Sequence, residues 1–301
     1  MSNILVTGGA GFIPSHLVDA LLDDNHQVTS VDNFITGKKD NLSKKENHTF
    51  IRADVNNLDE IEPIIRSGNY EYIFHYAALV GVHRTINNPI GVLNDLRGLE
   101  NIFFLAKETE VKKIFFSSSS EVYGEPVELP QREYLTPLNS RLPYAVIKNV
   151  GECFCKSYRQ EHNLDFTIFR FFNTYGLRQS KDFVVSKFLE LAKENRDITV
   201  YGTGLQTRTF CYIDDHIEAT TKAFRDNVYN NEIINIGNNE ETTVLQLAET
   251  IIKILDSESK IIHLDPLEEG DMTRRQPDVE RMKSLLNRDF TSLEEGLKKI
   301  I

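Results

Sequence analysis

Short apolar runs alternate along the chain with longer stretches in which apolar residues recur every three or four positions. The first run, residues 3–7, predicts a buried strand. A helix is predicted directly after it from the helical spacing of Phe12, Leu17, Val18 and Leu21. Because strands that alternate with helices pair in parallel, this opening predicts a βαβ unit.

The alternation continues to about residue 170. Further strands are predicted over residues 28–31, 50–52, 72–75, 114–117 and 166–170, and helices over about residues 90–108 and after Pro143. Strands of this kind form a sheet that helices cover on both faces. The predicted fold class is therefore α/β, with a doubly wound parallel (Rossmann) sheet.

The pattern loosens after Gly176. It predicts a helix over residues 183–194, extended segments over 198–201 and 209–213, a helix capped by Asp214-Asp215, a strand over 233–236, a helix capped by Thr242 or Thr243, and a tail with one short strand and two short helices. This part predicts a smaller α/β lobe rather than a second doubly wound domain.

The domain boundaries follow from the same pattern. We assign residues 1–176, together with about 212–240, to the doubly wound domain. The smaller lobe takes about residues 177–211 and 241–301.

Composition narrows the class of protein. The chain has 301 residues, of which 40% are hydrophobic and 26% charged, as in ordinary globular proteins. Its formal net charge of -11 argues against a nucleic-acid partner. The apolar runs are too short for a membrane span, and the first strand begins too early for a signal peptide. We therefore expect a cytoplasmic protein.

Cysteine usage predicts no covalent or metal framework. Cys153 and Cys155 lie two apart in a predicted helix, where their side chains do not face each other, and Cys211 is distant in sequence. We expect no disulfide and no metal site, and we interpret all three as small buried hydrophobic residues.

A glycine-rich loop follows the first strand and opens the first helix. Gly8 permits a tight turn, and Gly11 lets a pyrophosphate approach the backbone at the helix N-terminus. Asp32 ends the next strand, where a carboxylate accepts a hydrogen bond from the ribose 2′-hydroxyl and repels a 2′-phosphate. The expected cofactor is NAD rather than NADP. Pro14 stands where a third small residue is usual, although a proline is tolerated in a first helical turn.

Tyr144 and Lys148 lie four residues apart, on one face of the helix after Pro143. With the serine run that contains Ser119, they can move a proton on and off an alcohol. A tyrosine has a pKa of about 10, so acting as a base near pH 7 requires about 4 kcal/mol of stabilisation. One positive charge at ~4 Å in an effective dielectric of ~20 supplies about that much. Beside a nicotinamide, this group predicts hydride transfer.

Further motifs share the order found in a known superfamily. Ser-Ser-Glu-Val-Tyr-Gly occupies residues 119–124, Arg-Phe-Phe-Asn-Thr-Tyr-Gly 170–176, Val-Tyr-Gly-Thr-Gly 200–204 and Arg-Thr-Phe-Cys-Tyr-Ile-Asp-Asp 208–215. Together with the loop and the Tyr-Lys pair, they resemble the extended short-chain dehydrogenase/reductases, in the branch of nucleotide-sugar epimerases, dehydratases and decarboxylases. The resemblance covers essentially the whole chain.

The resemblance implies an NAD-dependent enzyme that oxidises a sugar C4 hydroxyl of a nucleoside diphosphate sugar. Tyr144 would be the base that takes the proton of the C4 hydroxyl, and Lys148 would lower the pKa of Tyr144. Ser119 would share the hydrogen bonds of the substrate hydroxyl. The other residues implied to bind the cofactor are Gly8, Gly11, Phe12, Ile13, Asp32, Asn33, Asp54, Val55, Ala77 and Ala78. Those implied to bind the substrate are Arg141, Asn173, Val200, Tyr201, Arg208 and Arg275.

Ser120 and Glu121 discriminate among the possible reactions. The similar dehydratases carry an Asp-Glu pair here, and a serine is too weak an acid for that role. Epimerases of this branch need no carboxylate at either position. The Ser-Glu pair, with Arg275 in Arg-Arg-Gln-Pro-Asp and with Arg141, is instead similar to the UDP-glucuronate decarboxylases.

Alternatives remain open. Residues 79–84 look more like an epimerase, so a 4-epimerase or a 4-dehydrogenase of another UDP- or GDP-sugar is the second hypothesis. A 4,6-dehydratase and a non-catalytic NAD-binding protein are further ones. The resemblance also implies a homodimer through a four-helix interface. Phe103, Phe104, Phe154 and Tyr158 would be available for it, or would simply pack on the sheet.

Overall fold

A computed structural model describes residues 1–81, 85, 87–265 and 274–301. Its strands are β1 (Asn3–Thr7), β2 (Gln27–Asp32), β3 (His48–Arg52), β4 (Tyr72–His75), β5 (Lys113–Ser119), β6 (Asp165–Phe171), β7 (Thr174–Tyr175), β8 (Ile198–Tyr201), β9 (Thr207–Thr209), β10 (Cys211–Tyr212), β11 (Glu232–Ile236), β12 (Glu241–Thr243) and β13 (Ile261–Leu264).

The α-helices within the described ranges are α1 (Phe12–Asp23), α2 (Leu58–Gly68), α3 (Pro89–Leu93), α4 (Asp95–Glu108), α5 (Pro143–His162), α6 (Val184–Lys193), α7 (Ile213–Arg225), α8 (Val244–Leu255), α9 (Glu280–Leu286) and α10 (Leu293–Ile300). Two 3₁₀ turns span Lys39–Asn41 and Ser120–Tyr123. No helix within these ranges combines the length and the apolar character that crossing a membrane requires.

Seven strands form one parallel sheet in the order β11-β6-β5-β4-β1-β2-β3. The predicted doubly wound α/β fold is confirmed. The strand order reverses between β1 and β4, and in such sheets a crevice opens there, beyond the carboxyl ends of the strands. Three smaller strand pairs lie outside this sheet: β7 with β10, β8 with β13, and β9 with β12.

The core divides between the two faces of this sheet because neighbouring residues of a strand point to opposite sides. Ile4 and Val6 of β1 join the core cluster that contains α1, α7 and α8 residues. Leu5 of β1 joins the cluster that contains α2, α4 and α5 residues. Both faces are thus covered by helices, as the near-continuous apolar strands predict.

Several local predictions need correction. The helix predicted over about 90–108 is divided at Asn94 into α3 and α4. Asp214 and Asp215 do not cap α7, which begins at Ile213 after Tyr212. The buried Asp215 carboxylate instead accepts bonds from Arg288 and Thr291 and so fastens the C-terminal segment.

The interpretation of the cysteines is correct for two of them and wrong for the third. Cys155 and Cys211 are buried, but Cys153 is exposed. The difference follows from helical geometry: residues two apart in α5 project in directions about 200° apart, so only Cys155 meets the sheet.

A buried ion pair joins α5 to β6 beneath the serine run. Arg170 Nε and Nη2 donate to the two carboxylate oxygens of Glu152 at 2.8 and 2.7 Å. Ser118 donates to the same carboxylate at 2.6 Å, and Arg170 Nη1 donates to the Tyr123 hydroxyl at 2.8 Å. Every ionised atom therefore has a partner, as a buried charge requires.

Replacing Glu152 with glutamine is expected to lower the free energy of unfolding by about 3 kcal/mol, because it leaves the buried Arg170 guanidinium uncompensated. Urea denaturation measures this loss of stability, provided that the m-value of the variant equals that of the wild type. The exposed pair of Glu62 and Arg66 supplies the control, since Glu62→Gln should cost less than about 1 kcal/mol. Equal effects of the two substitutions would contradict the prediction.

Candidate active site

The glycine-rich loop lies where β1 ends, at the crevice. Gly8 has a φ of +73°, which favours glycine, and a Cβ there would lie 3.0 Å from Ala77 Cα. At Gly11 a Cβ would lie 3.0 Å from the Gly8 carbonyl oxygen and 3.2 Å from Pro14 Cγ. The two glycines thus let the loop turn tightly against Ala77 and the start of α1, and both line the cavity at this crevice. Pro14 is accommodated as a buried residue of the first turn of α1.

Asp32 ends β2 beside this loop. Its carboxylate accepts from the Ala10 amide at 3.1 Å and from the Phe34 amide at 2.7 Å. Burial raises the pKa of Asp32, and these two bonds oppose the shift. Two carboxylate oxygens can accept more bonds than these, so Asp32 keeps the capacity to bind a hydroxyl.

Ser119, Tyr144 and Lys148 meet at the carboxyl end of β5. Tyr144, in the first turn of α5, is hydrogen-bonded to Ser119. Ser119 Oγ also accepts from the Glu121 amide at 3.2 Å and so begins the turn that carries Ser120 and Glu121. A serine run at a strand end therefore fixes both the Tyr144 hydroxyl and the Glu121 backbone.

Lys148 does not donate to Tyr144. Its Nζ donates to the Ser117 carbonyl at 2.6 Å and lies 5.8 Å from the centroid of the Tyr144 ring. Burial lowers the pKa of Lys148 to about 8, although the negative charge of Asp95 opposes this. Burial raises the pKa of Tyr144, and Glu121 adds to the rise. Ser119 and Arg275 oppose this rise. The lowering of the Tyr144 pKa by Lys148, whose Nζ lies beside the ring, stays a prediction.

Glu121 and Arg275 form an ion pair across the site. Arg275 Nη2 lies 2.7 Å from Glu121 Oε1, and both side chains are largely buried. The pair joins the 3₁₀ turn after β5 to a segment near the C-terminus. A guanidinium has five N–H donors, so this contact leaves others available to a ligand.

One cavity of about 1170 Å³ joins these groups to the smaller lobe. The predicted cofactor residues Gly8, Gly11, Phe12, Ile13, Asp32, Asn33, Asp54, Val55, Ala77 and Ala78 line it, as do Ser119, Ser120, Glu121, Tyr144, Lys148, Asn173, Val200, Tyr201, Arg208 and Arg275. Arg141 does not line it: this residue is exposed, and Leu142 and Tyr144 form the wall there. Leu79, Val80 and Gly81 line the cavity, whereas Val82, His83 and Arg84 lie outside the described residues.

Asn173 supports a polar ligand in this cavity. Its φ is +20°, and its buried Nδ2 has no hydrogen-bond partner among the described residues. Arg208, on β9, donates Nη1 to the Thr207 carbonyl at 2.7 Å. An amide donor and two arginines on one wall suit an anionic, hydroxyl-rich ligand.

Sequence reasoning missed Asp95, at the start of α4. Its carboxylate lines the cavity and accepts from the Leu79 amide at 2.8 Å and from Asn56 Nδ2 at 3.3 Å. Burial raises its pKa, and the charge of Lys148 opposes the rise. Acidic residues are common at the start of helices, so the sequence contained no signal that distinguished Asp95 as a site residue.

Comparisons with known proteins agree with this architecture. The family model of the NAD dependent epimerase/dehydratase family matches residues 4–237. A putative UDP-glucose 4-epimerase of Methanocaldococcus jannaschii is 36% identical over 304 residues, covering 99% of this chain and 97% of that protein. UDP-glucuronic acid decarboxylase 1 of Danio rerio is 37% identical over 306 residues, covering 99% of this chain and 71% of that protein.

A solved structure is similar over nearly the whole chain. The UDP-glucose 4-epimerase of Thermotoga maritima with UDP-glucose superposes with a TM-score of 0.93 at 32% identity, covering 99% of this chain and 97% of that one. Epimerases and decarboxylases are thus about equally similar in sequence. The choice between the two reactions depends on the site residues themselves.

Proposed function

This chain belongs to the NAD-dependent epimerase/dehydratase family, as its motifs indicated, and on that premise we propose that it decarboxylates a UDP-linked uronic acid. UDP-glucuronate is the first substrate to test. The observation that carries the proposal is the Arg275–Glu121 pair on the cavity wall, beside Ser119 and Tyr144. A neutral sugar offers this guanidinium only hydroxyl acceptors, whereas a uronic acid offers a carboxylate that pairs with it.

The residues present fit the cofactor of the family. The loop with Gly8 and Gly11, which lines the cavity at the N-terminus of α1, suits a pyrophosphate, and Asp32 suits a ribose hydroxyl. NAD, when bound, supplies the hydride acceptor and a positively charged ring next to the substrate. We propose that residues 1–176 and about 212–240 hold it, and that about 177–211 and 241–301 hold the nucleotide sugar.

The chain's own residues perform the proton chemistry. Tyr144 takes the proton of the C4 hydroxyl, with Ser119 sharing the hydrogen bond, as the C4 hydride leaves. The resulting 4-ketone accepts the electron pair when the bond between C5 and the carboxylate breaks, so carbon dioxide leaves without a strong base. Arg275 holds the carboxylate beforehand. A proton from solvent then adds to C5 in place of the lost carboxylate, and the hydride and the Tyr144 proton return to C4.

An assay with purified protein, catalytic NAD and UDP-glucuronate tests this proposal by mass spectrometry and NMR. We expect carbon dioxide and UDP-xylose, or its 4-keto precursor, in equal amounts. No conversion by NAD-loaded protein would overturn it. Interconversion of UDP-glucose and UDP-galactose would then support the epimerase that the sequence of residues 79–84 and the Methanocaldococcus jannaschii relative favour. An oxidised sugar with accumulating NADH would support a 4-dehydrogenase.

Asp32 should set the preference for NAD over NADP. Asp32→Asn keeps one of the two acceptor oxygens that the backbone amides use but removes the charge, so the ratio of the two dissociation constants should move toward NADP by at least about tenfold. Calorimetric titration measures both constants. Asp40→Asn, an exposed carboxylate in the same loop region, should leave the ratio unchanged. An unchanged ratio in Asp32→Asn would contradict this role.

Replacing Asp95 should shift the pH dependence of kcat. We expect kcat to fall with rising pH where Lys148 loses its charge, near its pKa of about 8, because a positive charge beside the Tyr144 ring favours the ionised form that takes the C4 proton. Because the negative Asp95 raises the pKa of Lys148, Asp95→Asn should move the falling limb to lower pH. The pH profile of kcat measures the shift, and a falling limb that stays in place would contradict it.

We propose a cytoplasmic homodimer that pairs through α4 and α5. Leu96, Phe104 and Val146 on these helices are exposed, which supports an interface. Phe103 is instead buried against Phe154 and Tyr158, so it packs within the chain. Light scattering should give twice the monomer mass, and a monomeric mass would contradict the proposal.

A further inference from the structure

The segment that carries Arg275 is held by a distant part of the chain. The Gln131 amide donates to the Gln276 carbonyl at 2.7 Å, and the Asp278 amide donates to the Gln131 carbonyl at 2.8 Å. These two bonds form a parallel bridge between Gln131 and Pro277. Asn235 Nδ2 also donates to the Gln131 carbonyl, at 2.9 Å, and so ties this bridge to β11.

Side chains alternate along this segment between solvent and interior. Arg275, Pro277 and Val279 are buried. Arg274 points outward to Glu241, and Gln276 donates to the Asn239 carbonyl near the surface. Because paired residues of neighbouring strands share a face, the buried Gln131 side chain lies on the same face as Pro277 and therefore as Arg275.

The buried face contains polar atoms without partners. Gln131 is 0% exposed, and neither its Oε1 nor its Nε2 has a hydrogen-bond partner among the described residues. The Nε–H of Arg275 is likewise buried and unpartnered in this part of the chain. A buried amide and a buried guanidinium N–H are costly to leave unpaired, and these two complement each other as acceptor and donor.

We propose that Gln131 is a positioning residue for Arg275. Because the two groups are not bonded directly, a single bridging water accepts the Arg275 Nε–H and donates to the Gln131 amide oxygen, which fixes the plane of the guanidinium. The Nη atoms then face Glu121 and the cavity, where the substrate carboxylate binds. The kinetic consequence rests on the proposed decarboxylase function, whereas the hydrogen bond itself does not.

Two variants on opposite faces of the same bridge test this proposal. Gln131→Met removes the amide at similar volume, and Gln276→Met makes the same change on the outward face as a matched control. The probe is the Arg275 Nε–H signal in NMR spectra of NAD-loaded, ¹⁵N-labelled protein, identified by its loss in Arg275→Lys. We expect solvent exchange of this hydrogen to accelerate at least about tenfold in Gln131→Met and to stay unchanged in Gln276→Met.

Kinetics give the second measurement. For Gln131→Met we expect kcat/KM with UDP-glucuronate to fall about tenfold or more, because a displaced guanidinium is poorly oriented, while the dissociation constant of UDP stays unchanged. If wild-type protein does not convert UDP-glucuronate, the proposed function fails, and the exchange experiment still decides the role of Gln131.

The competing explanation is that Gln131 only fills space. In that case, replacing an unsatisfied amide with methionine raises the melting temperature and leaves the Arg275 Nε–H exchange unchanged. Either of those results overturns the proposal. A lowered melting temperature together with faster exchange supports it.

Discussion

Tyr144→Phe should lower kcat by about 10³- to 10⁴-fold, because the ring remains while the group that takes the C4 proton is lost. Oxidation of the sugar should be the step that fails. Single-turnover assays that follow NADH and product by mass spectrometry measure it.

The matched control for Tyr144→Phe lies on the same helix. Tyr158 packs against Phe103 and Phe154, away from the cavity, and Tyr158→Phe removes an equivalent hydroxyl. We expect nearly wild-type kcat for this control and unchanged NAD affinity for both variants. A Tyr144→Phe protein with more than about a tenth of wild-type activity would exclude Tyr144 as the base.

Arg275→Gln should reduce carbon dioxide release by about 10³-fold, because the substrate carboxylate loses its cation and Glu121 is left without its partner. Oxidation at C4 should also slow, since the guanidinium lowers the pKa of Tyr144. The diagnostic quantity is the amount of carbon dioxide formed per sugar oxidised. We expect this ratio to fall.

Arg274→Gln is the control, because Arg274 pairs with Glu241 at the surface and should leave the ratio unchanged. The double variant Arg275→Gln with Glu121→Gln removes both charges, so no unpaired buried charge is left. We expect this double variant to recover stability without recovering carbon dioxide release. Recovery of both would show that Arg275 acts only by neutralising Glu121, and would contradict its proposed role toward the substrate.

Much of the fold is encoded locally. Apolar runs and helical spacing predicted the strands of the sheet and its coverage by helices on both faces, because burial on both faces of a sheet demands apolar residues at successive positions. The sequence also predicted the cap of α8, because the Thr243 side chain accepts a hydrogen bond from the Gln246 amide only three residues along the chain. The loop with Gly8 and Gly11 and the Tyr144-Lys148 spacing are equally local features.

Other features depended on which distant segments meet. The motifs place Lys148 one helical turn from Tyr144, but only the folded chain shows that its Nζ donates to the Ser117 carbonyl and that Asp95 lies close to it. Arg141 was grouped with the substrate residues by its position near Tyr144, yet it faces solvent. Closeness along the chain did not predict which way either side chain points.

What the sequence by itself determined is the family, the α/β fold, the NAD loop and the residue types of the site, because each depends on spacing within one strand, turn or helix. Only the tertiary structure decided that Glu121 pairs with Arg275 and that Gln131 shares a buried face with it. These groups come from segments far apart in the chain. Their contact is set by how the elements between them pack, a long-range property that local periodicity does not contain.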